Sequence, residues 1–428
     1  MALRRGRLSF AGLATAGVYL VAAWRLPWWT YGGRLRSWAE LLGAGSFAFA
    51  SCLVGTGVLV AAYLWGWYVV RGGSERRWVI WSFAGLFALT LFWLQPITSD
   101  LFSYLSRAHL LTDLGGNPLV DAPLDFDDAL VRAYPTFYAT RPTVYGPAWL
   151  LISAPGTLGR HDVVTGLAFL KGVAVVAYLG CAWYLEQILR QLRPTAALEG
   201  LYLFAWNPLV LLMAVGDGHN DIVMMALVLL SLWLLLRERW LCSWGALTLS
   251  VWIKYVSVIF FPLFALYTWR RLGRERGHRR WSPMAWLGLM AVTLSFLLFV
   301  PFGGLDQVSG LVERVLWPAN WREGAANLPA LALGIGLALF AIAYAVLIWR
   351  FMRGERSFQQ LGNVCFSATV LAFLLGAARS QSWHLIWPAA LAGVSERRWA
   401  WPLVVGLSVA MLAVQLWAEW AGAGVGLW

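Results

Sequence analysis

The chain is poor in charge. Of its 428 residues only 13% are Asp, Glu, Lys or Arg, and only two, Lys171 and Lys254, are lysines. Soluble globular domains carry about a quarter charged residues, so a 60% hydrophobic content and a mean hydropathy of +0.65 exclude that class. Cysteine is equally scarce. Cys52, Cys181, Cys242 and Cys365 stand singly in or beside apolar runs without CxxC spacing, which excludes a disulfide framework and reads them as small core residues. Neither an internal repeat nor a low-complexity segment is visible.

What the chain has instead is apolar runs long enough to cross about 30 Å of hydrocarbon. Placed by apolar length, spans fall near 8–24, 47–70, 78–97, 163–189, 198–215, 219–236, 283–303, 328–349, 361–378, 383–394 and 399–421. Residues 241–269 lie between Arg237 and Arg239 on one side and six arginines between Arg270 and Arg280 on the other. Both ends therefore prefer the cytoplasm, and a hairpin of two short helices turning near Lys254 reconciles charge with length. The expectation is an all-α, polytopic integral membrane protein of about 13 passes in one transmembrane domain, 1–428. The excess of 33 Lys+Arg over 21 Asp+Glu reads as a topology signal rather than a nucleic-acid surface. It places the N-terminus in the cytoplasm and the first helix, preceded by Arg4, Arg5 and Arg7, as uncleaved.

Two external loops follow, 98–147 and 304–327. The first is acidic, with Asp100, Asp113, Asp121, Asp125, Asp127 and Asp128 against Arg107, Arg132 and Arg141. Asp100 to Leu114 is expected to form an interfacial helix ended by the Gly115-Gly116-Asn117-Pro118 turn. The next apolar piece, about 148–158, is too short to cross and holds Pro155.

The unusual polar groups gather on the external side: Asp100, the Gly216-Asp217-Gly218-His219-Asn220-Asp221 cluster, Lys254, and Arg379, Gln381 and His384. Charged groups at membrane depth read as functional by default. Asp100 is placed to take a proton from a hydroxyl nucleophile or to cap the interfacial helix. The 216–221 cluster offers metal ligands, sugar contacts or a cap for the following helix. Lys254 needs an anion, either a lipid phosphate or an intramembrane carboxylate. Arg379 can grip phosphate through two parallel hydrogen bonds or snorkel at a helix end. Asp125-Phe126-Asp127 has the DxD form that chelates a metal on nucleotide sugars, and reads here as a solvated acidic face.

Thr98-Ser99-Asp100-Leu101-Phe102-Ser103-Tyr104, Gly116-Asn117-Pro118, Tyr145-Gly146-Pro147, Trp206-Asn207-Pro208, Gly218-His219-Asn220-Asp221 and Lys254 followed by Pro262 resemble, in order, the GT-C superfamily. The likeness is to bacterial polyprenol-phosphate-mannose-dependent mannosyltransferases, from about Leu91 to Arg270, with a weaker echo at Gln381-Ser382-Trp383 and Trp387-Pro388. The resemblance implies an inverting enzyme that moves a hexose, mannose by analogy, from polyprenyl phosphate to an acceptor hydroxyl of a glycan, lipid or protein at the external membrane face. It implies Asp100 as base, Lys254, Arg379 and His384 as donor-phosphate ligands, and Tyr104, Arg141, Tyr145, Asp217, His219, Asn220 and Asp221 as substrate contacts. Leu101 stands where some GT-C enzymes place a second acid, and a lipid-phosphate leaving group does not oblige a metal, so no metal ligands are assigned. The rival readings are a flippase or transporter of lipid-linked sugars, which more often shows repeats, and an envelope-assembly scaffold.

Overall fold

In a computed structural model, residues 6–30, 38–43, 45–72, 77–134, 139–159, 162–276, 281–316, 328–376 and 381–420 are described. Among them the regular structure is helical, with one isolated bridge between Pro27 and Leu94 and no strand. Seven helices are long and apolar enough to cross a bilayer: Arg7–Arg25, Ser46–Arg71, Val163–Leu192, Trp281–Phe302, Ala332–Arg353, Phe358–Leu375 and Ala400–Ala418. Their outward faces are apolar, with Trp24, Phe47, Tyr68, Trp281 and Ile342 all exposed, as a surface turned to lipid requires.

The expected count of about 13 passes counted several shorter segments as spans. Pro194–Ala205 and Pro208–Gly216 form a pair bent by 51°, and Arg77–Phe92, Asp221–Leu236 and Trp240–Val251 are shorter apolar helices. The bend has a sequence cause. Proline disfavours helix at the residue before it, and Asn207 takes an extended ψ of 115° and accepts from the Leu209 and Val210 amides. Its Nδ2 donates to Ser408 Oγ at 2.9 Å, so the break is tied to the Ala400–Trp420 helix.

The hairpin expected over 241–269 is present as Trp240–Val251 and Phe260–Arg276, with Lys254 in the break between them. The segment near 148–158 is a short Pro147–Ser153 helix with a 3-10 turn, Ala154–Gly156. A helix runs Asp100–Thr112 where an interfacial one was expected, but its residues from Asp100 to Leu110 are buried in the protein, and Gly115, at a left-handed φ of +67°, turns the chain after it.

One apolar core joins the helices from Leu8 to Leu412, and a small second cluster packs Leu119 and Leu150 against Phe299, Phe302 and Leu311. Through that cluster, and through the 2.8 Å bond from Asn117 Nδ2 to the Phe302 carbonyl, the acidic loop rests on residues 300–311. Beyond the Asp306–Leu316 helix the second loop, 317–327, lies outside the described residues, as does 135–138 of the first. Of the cysteines, Cys181 and Cys365 are buried as expected, Cys52 is half-buried, and Cys242 is exposed near the start of the Trp240–Val251 helix.

Candidate active site

Asp100 is the first helical residue of Asp100–Thr112, and no side chain caps that helix. The carboxylate turns away from its own helix end. Its Oδ2 receives Tyr104 at 3.3 Å, Tyr145 at 3.4 Å and His219 Nδ1 at 3.2 Å. Oδ1 has no hydrogen bond among the described residues. The capping role weighed for Asp100 is therefore not the one the side chain takes.

His219 sits on the turn before the Asp221–Leu236 helix, which Gly218 makes possible with φ at +70° and Leu101 packed where a Cβ would stand. Its Nε2 faces Thr98 Oγ1 at 3.4 Å and Asp217 Oδ2 at 3.6 Å, and its ring stacks on Trp383 with centroids 4.1 Å apart. Asp217 Oδ1 is held by the Ile97 amide at 2.6 Å. The result is an Asp217, His219, Asp100 string that is almost wholly buried.

Burial disfavours charge on both groups, but the mutual contact overrides it. His219 is raised to about 9 because burial is outweighed by its hydrogen bonds to Asp100 and Asp217. Asp100 is held below the usual carboxylate range because burial is outweighed by His219, with Lys254 and Tyr104 adding to it. The pair is imidazolium and carboxylate at neutral pH.

Lys254 faces a second acid. Its Nζ donates to both oxygens of Asp221, at 2.9 and 2.8 Å, and Trp387 Nε1 donates to Asp221 Oδ1. The Lys254 side chain is 18% exposed while that of Asp221 is fully buried, so the lysine is the half of the pair with open surface. The alternative weighed for Lys254, pairing with an intramembrane carboxylate, is what the geometry shows. His384 packs against Trp387 and accepts from the Gln381 amide at 3.1 Å.

A backbone contact fixes the two halves together. The Ala148 amide donates to the Trp252 carbonyl at 3.1 Å, and a Cβ on Gly146 would lie 2.1 Å from that oxygen. Only glycine lets the segment carrying Tyr145 approach the turn carrying Lys254 so closely.

Asp100, Tyr104, Tyr145, Asp217, His219, Asn220, Asp221, Lys254 and His384 are thus gathered at one end of the bundle. Asn220 is fully buried with neither side-chain polar atom partnered among the described residues. Arg141 is not part of this cluster through its side chain, which is exposed while its carbonyl accepts from Arg107. Arg379 lies outside the described residues. The 125–128 acids serve the loop: Asp125 binds the Ala122 amide, Asp127 pairs with Arg132, and Asp128 caps Ala129–Ala133 and meets His109. Among the described residues no group of three or more His, Cys, Asp or Glu is disposed to hold a metal.

Sequence reasoning assigned no role to Thr98, Trp383 or Trp387, although the last two lie in the weaker 381–388 echo. It also left Lys171 without a role. That lysine is fully buried and donates to the carbonyls of Leu94, at 2.9 Å, Val215, at 3.1 Å, and Gly216. The signal was its rarity, since an arginine-using chain that keeps two lysines has placed both beside the 216–221 turn.

Comparison with known proteins gives the family. Residues 8–270 match the N-terminal domain of alpha-(1->6)-mannopyranosyltransferase. The chain is 26% identical over 400 residues to alpha-(1->6)-mannopyranosyltransferase A of Mycobacterium tuberculosis, covering 84% of this chain and 74% of that protein. It is 27% identical over 286 residues to alpha-(1->6)-mannopyranosyltransferase B of Corynebacterium glutamicum, covering 60% of this chain and 47% of that protein. The matched domain contains Asp100, the 216–221 turn and Lys254, and the chain belongs to the alpha-(1->6)-mannopyranosyltransferase family, a GT-C-like group of membrane mannosyltransferases.

Proposed function

We propose that this chain transfers a mannosyl group, with inversion, from a polyprenyl-phosphate donor to a glycan hydroxyl at the external face of the plasma membrane. The observation that carries the reading is Asp100, whose Oδ2 is occupied by three donors while Oδ1 is open. A base must be ionised and reachable, and the lowered Asp100 carboxyl with its open Oδ1 supports that role.

In this reading the acceptor oxygen attacks the anomeric carbon from the face opposite the phosphate, and its proton passes to Asp100 Oδ1. The bond from the anomeric carbon to the phosphate oxygen breaks, and the phosphate keeps the electron pair. Lys254, partly exposed with buried Asp221 behind it, opposes the charge that develops on the phosphate, and a preorganised cation in a water-poor site is a large catalytic term. His219 holds Asp100 in its anionic form and in place. The unpartnered Asn220 amide and the His384 ring supply hydrogen-bonding groups for the sugar and the phosphate. The Arg-rich loops support the external orientation, and a donor that is itself a lipid suits a site at the end of a membrane bundle.

Sugar transfer by purified protein in liposomes, from polyprenyl-phosphate hexoses to glycan acceptors, tests this with Asp100→Asn alongside. Transfer from the mannose donor that collapses in the variant while donor binding persists is the expected result. Equal transfer by both proteins removes Asp100 as base. Lipid-linked sugar crossing the bilayer without transfer replaces the enzyme with a transporter.

A further inference from the structure

Lys171 lies on the Val163–Leu192 helix with none of its surface exposed, and among the described residues it makes no ion pair. A buried ammonium without a counter-ion is costly, so its hydrogen bonds must offset that cost. They go to the carbonyls of Leu94, Val215 and Gly216. Three acceptors match the three N–H groups of an ammonium, where a neutral amine offers two. The carbonyls belong to the ends of two separate elements. Leu94 follows the Arg77–Phe92 helix by two residues, and Val215 and Gly216 close the Leu212–Gly216 π-turn. The last carbonyls of a helix lack intrahelical donors and attract a cation, and here one lysine serves both ends.

From that point the two segments run side by side into the site. Asp100 lies a few residues beyond Leu94, and His219 a few beyond Gly216. The Ile97 amide donates to Asp217 Oδ1, Thr98 Oγ1 meets His219 Nε2, and His219 Nδ1 meets Asp100 Oδ2. These contacts climb like rungs, each joining one segment to the other. Lys171 is the lowest rung and comes from a third element, a helix long enough to cross the bilayer, so it ties both segments to a rigid span. We propose, resting on Asp100 as the base, that Lys171 is a positioning residue for the reaction: its grip on both segments sets the Asp100 to His219 spacing and so aims the Asp100 carboxylate. It acts through the backbone and touches neither substrate.

The test uses the full-length protein with polyprenyl-phosphate mannose and a glycan acceptor. Lys171→Met keeps the aliphatic stem and removes all three donors. Its kcat falls about a hundredfold, the effect of a displacement of about 1 Å, while KM for donor and acceptor is kept. Glu186→Gln is the control: Glu186 is buried on the same helix, about 22 Å away at 1.5 Å per residue, and is bonded by Arg77 and Trp81. That variant melts lower and keeps kcat.

A second readout needs no substrate. In the wild type the unfolding free energy falls as pH rises through about 9, where His219 loses its proton. His219 faces Asp100, Asp217 and Thr98 and stacks on Trp383, with Asp221 and His384 in electrostatic range and Lys254 bonded to Asp221. If the pair draws apart in Lys171→Met, the midpoint of that fall drops toward 6.5 by about one unit; loss of a nearby positive charge alone would raise it. Lys171→Gln, with two N–H donors and no charge, falls between the wild type and Lys171→Met in both readouts, and it carries the test if Lys171→Met does not fold. A midpoint that stays or rises overturns the proposal, and so does a kcat no lower than that of Glu186→Gln. No transfer by the wild type defeats the enzyme reading, and the midpoint then decides whether Lys171 sets the pair.

Discussion

The Lys254 and Asp221 pair should be asymmetric when broken. Asp221 is fully buried and its carboxylate is met by the Lys254 ammonium and by Trp387, whereas the lysine side chain keeps 18% of its surface open. Lys254→Met therefore strands an anion that cannot reach water. Breaking one side of a buried pair costs about 3–5 kcal/mol, and because Trp387 still donates to Asp221, about 3 kcal/mol is expected here. Asp221→Asn leaves a cation on the partly exposed half of the pair and a neutral side chain that still accepts from Trp387, at a cost of about 1 kcal/mol. The Lys254→Met, Asp221→Asn double variant should recover most of the loss of the first single variant, since no bare charge remains. The assay is reversible unfolding in detergent followed by tryptophan fluorescence, with mannosyl transfer measured in parallel. All three variants should transfer poorly, so stability and activity separate in the double variant. An Asp221→Asn variant less stable than Lys254→Met, or a double variant no more stable than Lys254→Met, would refute the reasoning.

Three further outcomes are expected. Gly146→Ala drives a methyl to 2.1 Å from the Trp252 carbonyl and should cost about 1–3 kcal/mol with a larger fractional loss of transfer, measured by melting and by kcat/KM. Asn207→Ala removes a cap worth about 1–2 kcal/mol far from the chemistry, so specific activity per folded molecule should be kept. The pH profile should be broad. His219 is raised from 6.5 to about 9, so its contribution is full below 6.5 and is lost as pH rises through about 9. Asp100 is lowered from 3.8, so its contribution is full above 3.8 and is lost as pH falls through its depressed value. Unfolding free energy measured against pH in His219→Gln should lack the alkaline fall; retention of that fall would remove His219 as its source.

Much of the architecture was legible because apolar length and proline placement act locally. The Asp100–Thr112 helix, the break around Lys254 and the short Pro147 helix all follow from such signals. The pass count was not, since a bundle that shelters its polar groups can use helices too short to span, and periodicity does not say which. Within the site, Asp100, His219, Asp221 and Lys254 stood out as charges at membrane depth. Their pairing did not, because Lys254 meets an acid 33 positions earlier and His219 one 119 positions earlier. Trp383 and Trp387 were hidden among 29 tryptophans, most of which read equally well as interfacial anchors.

The amide of Ala148 resting on the Trp252 carbonyl works as a backbone bolt between two lobes. One lobe carries Tyr145, which donates to Asp100; the other carries Lys254, which donates to Asp221. Gly146 lets the two backbones meet that closely, so the spacing between Asp100 and Lys254 belongs to the fold rather than to either segment alone. On the proposed function, the distance from base to leaving group is set before either substrate arrives.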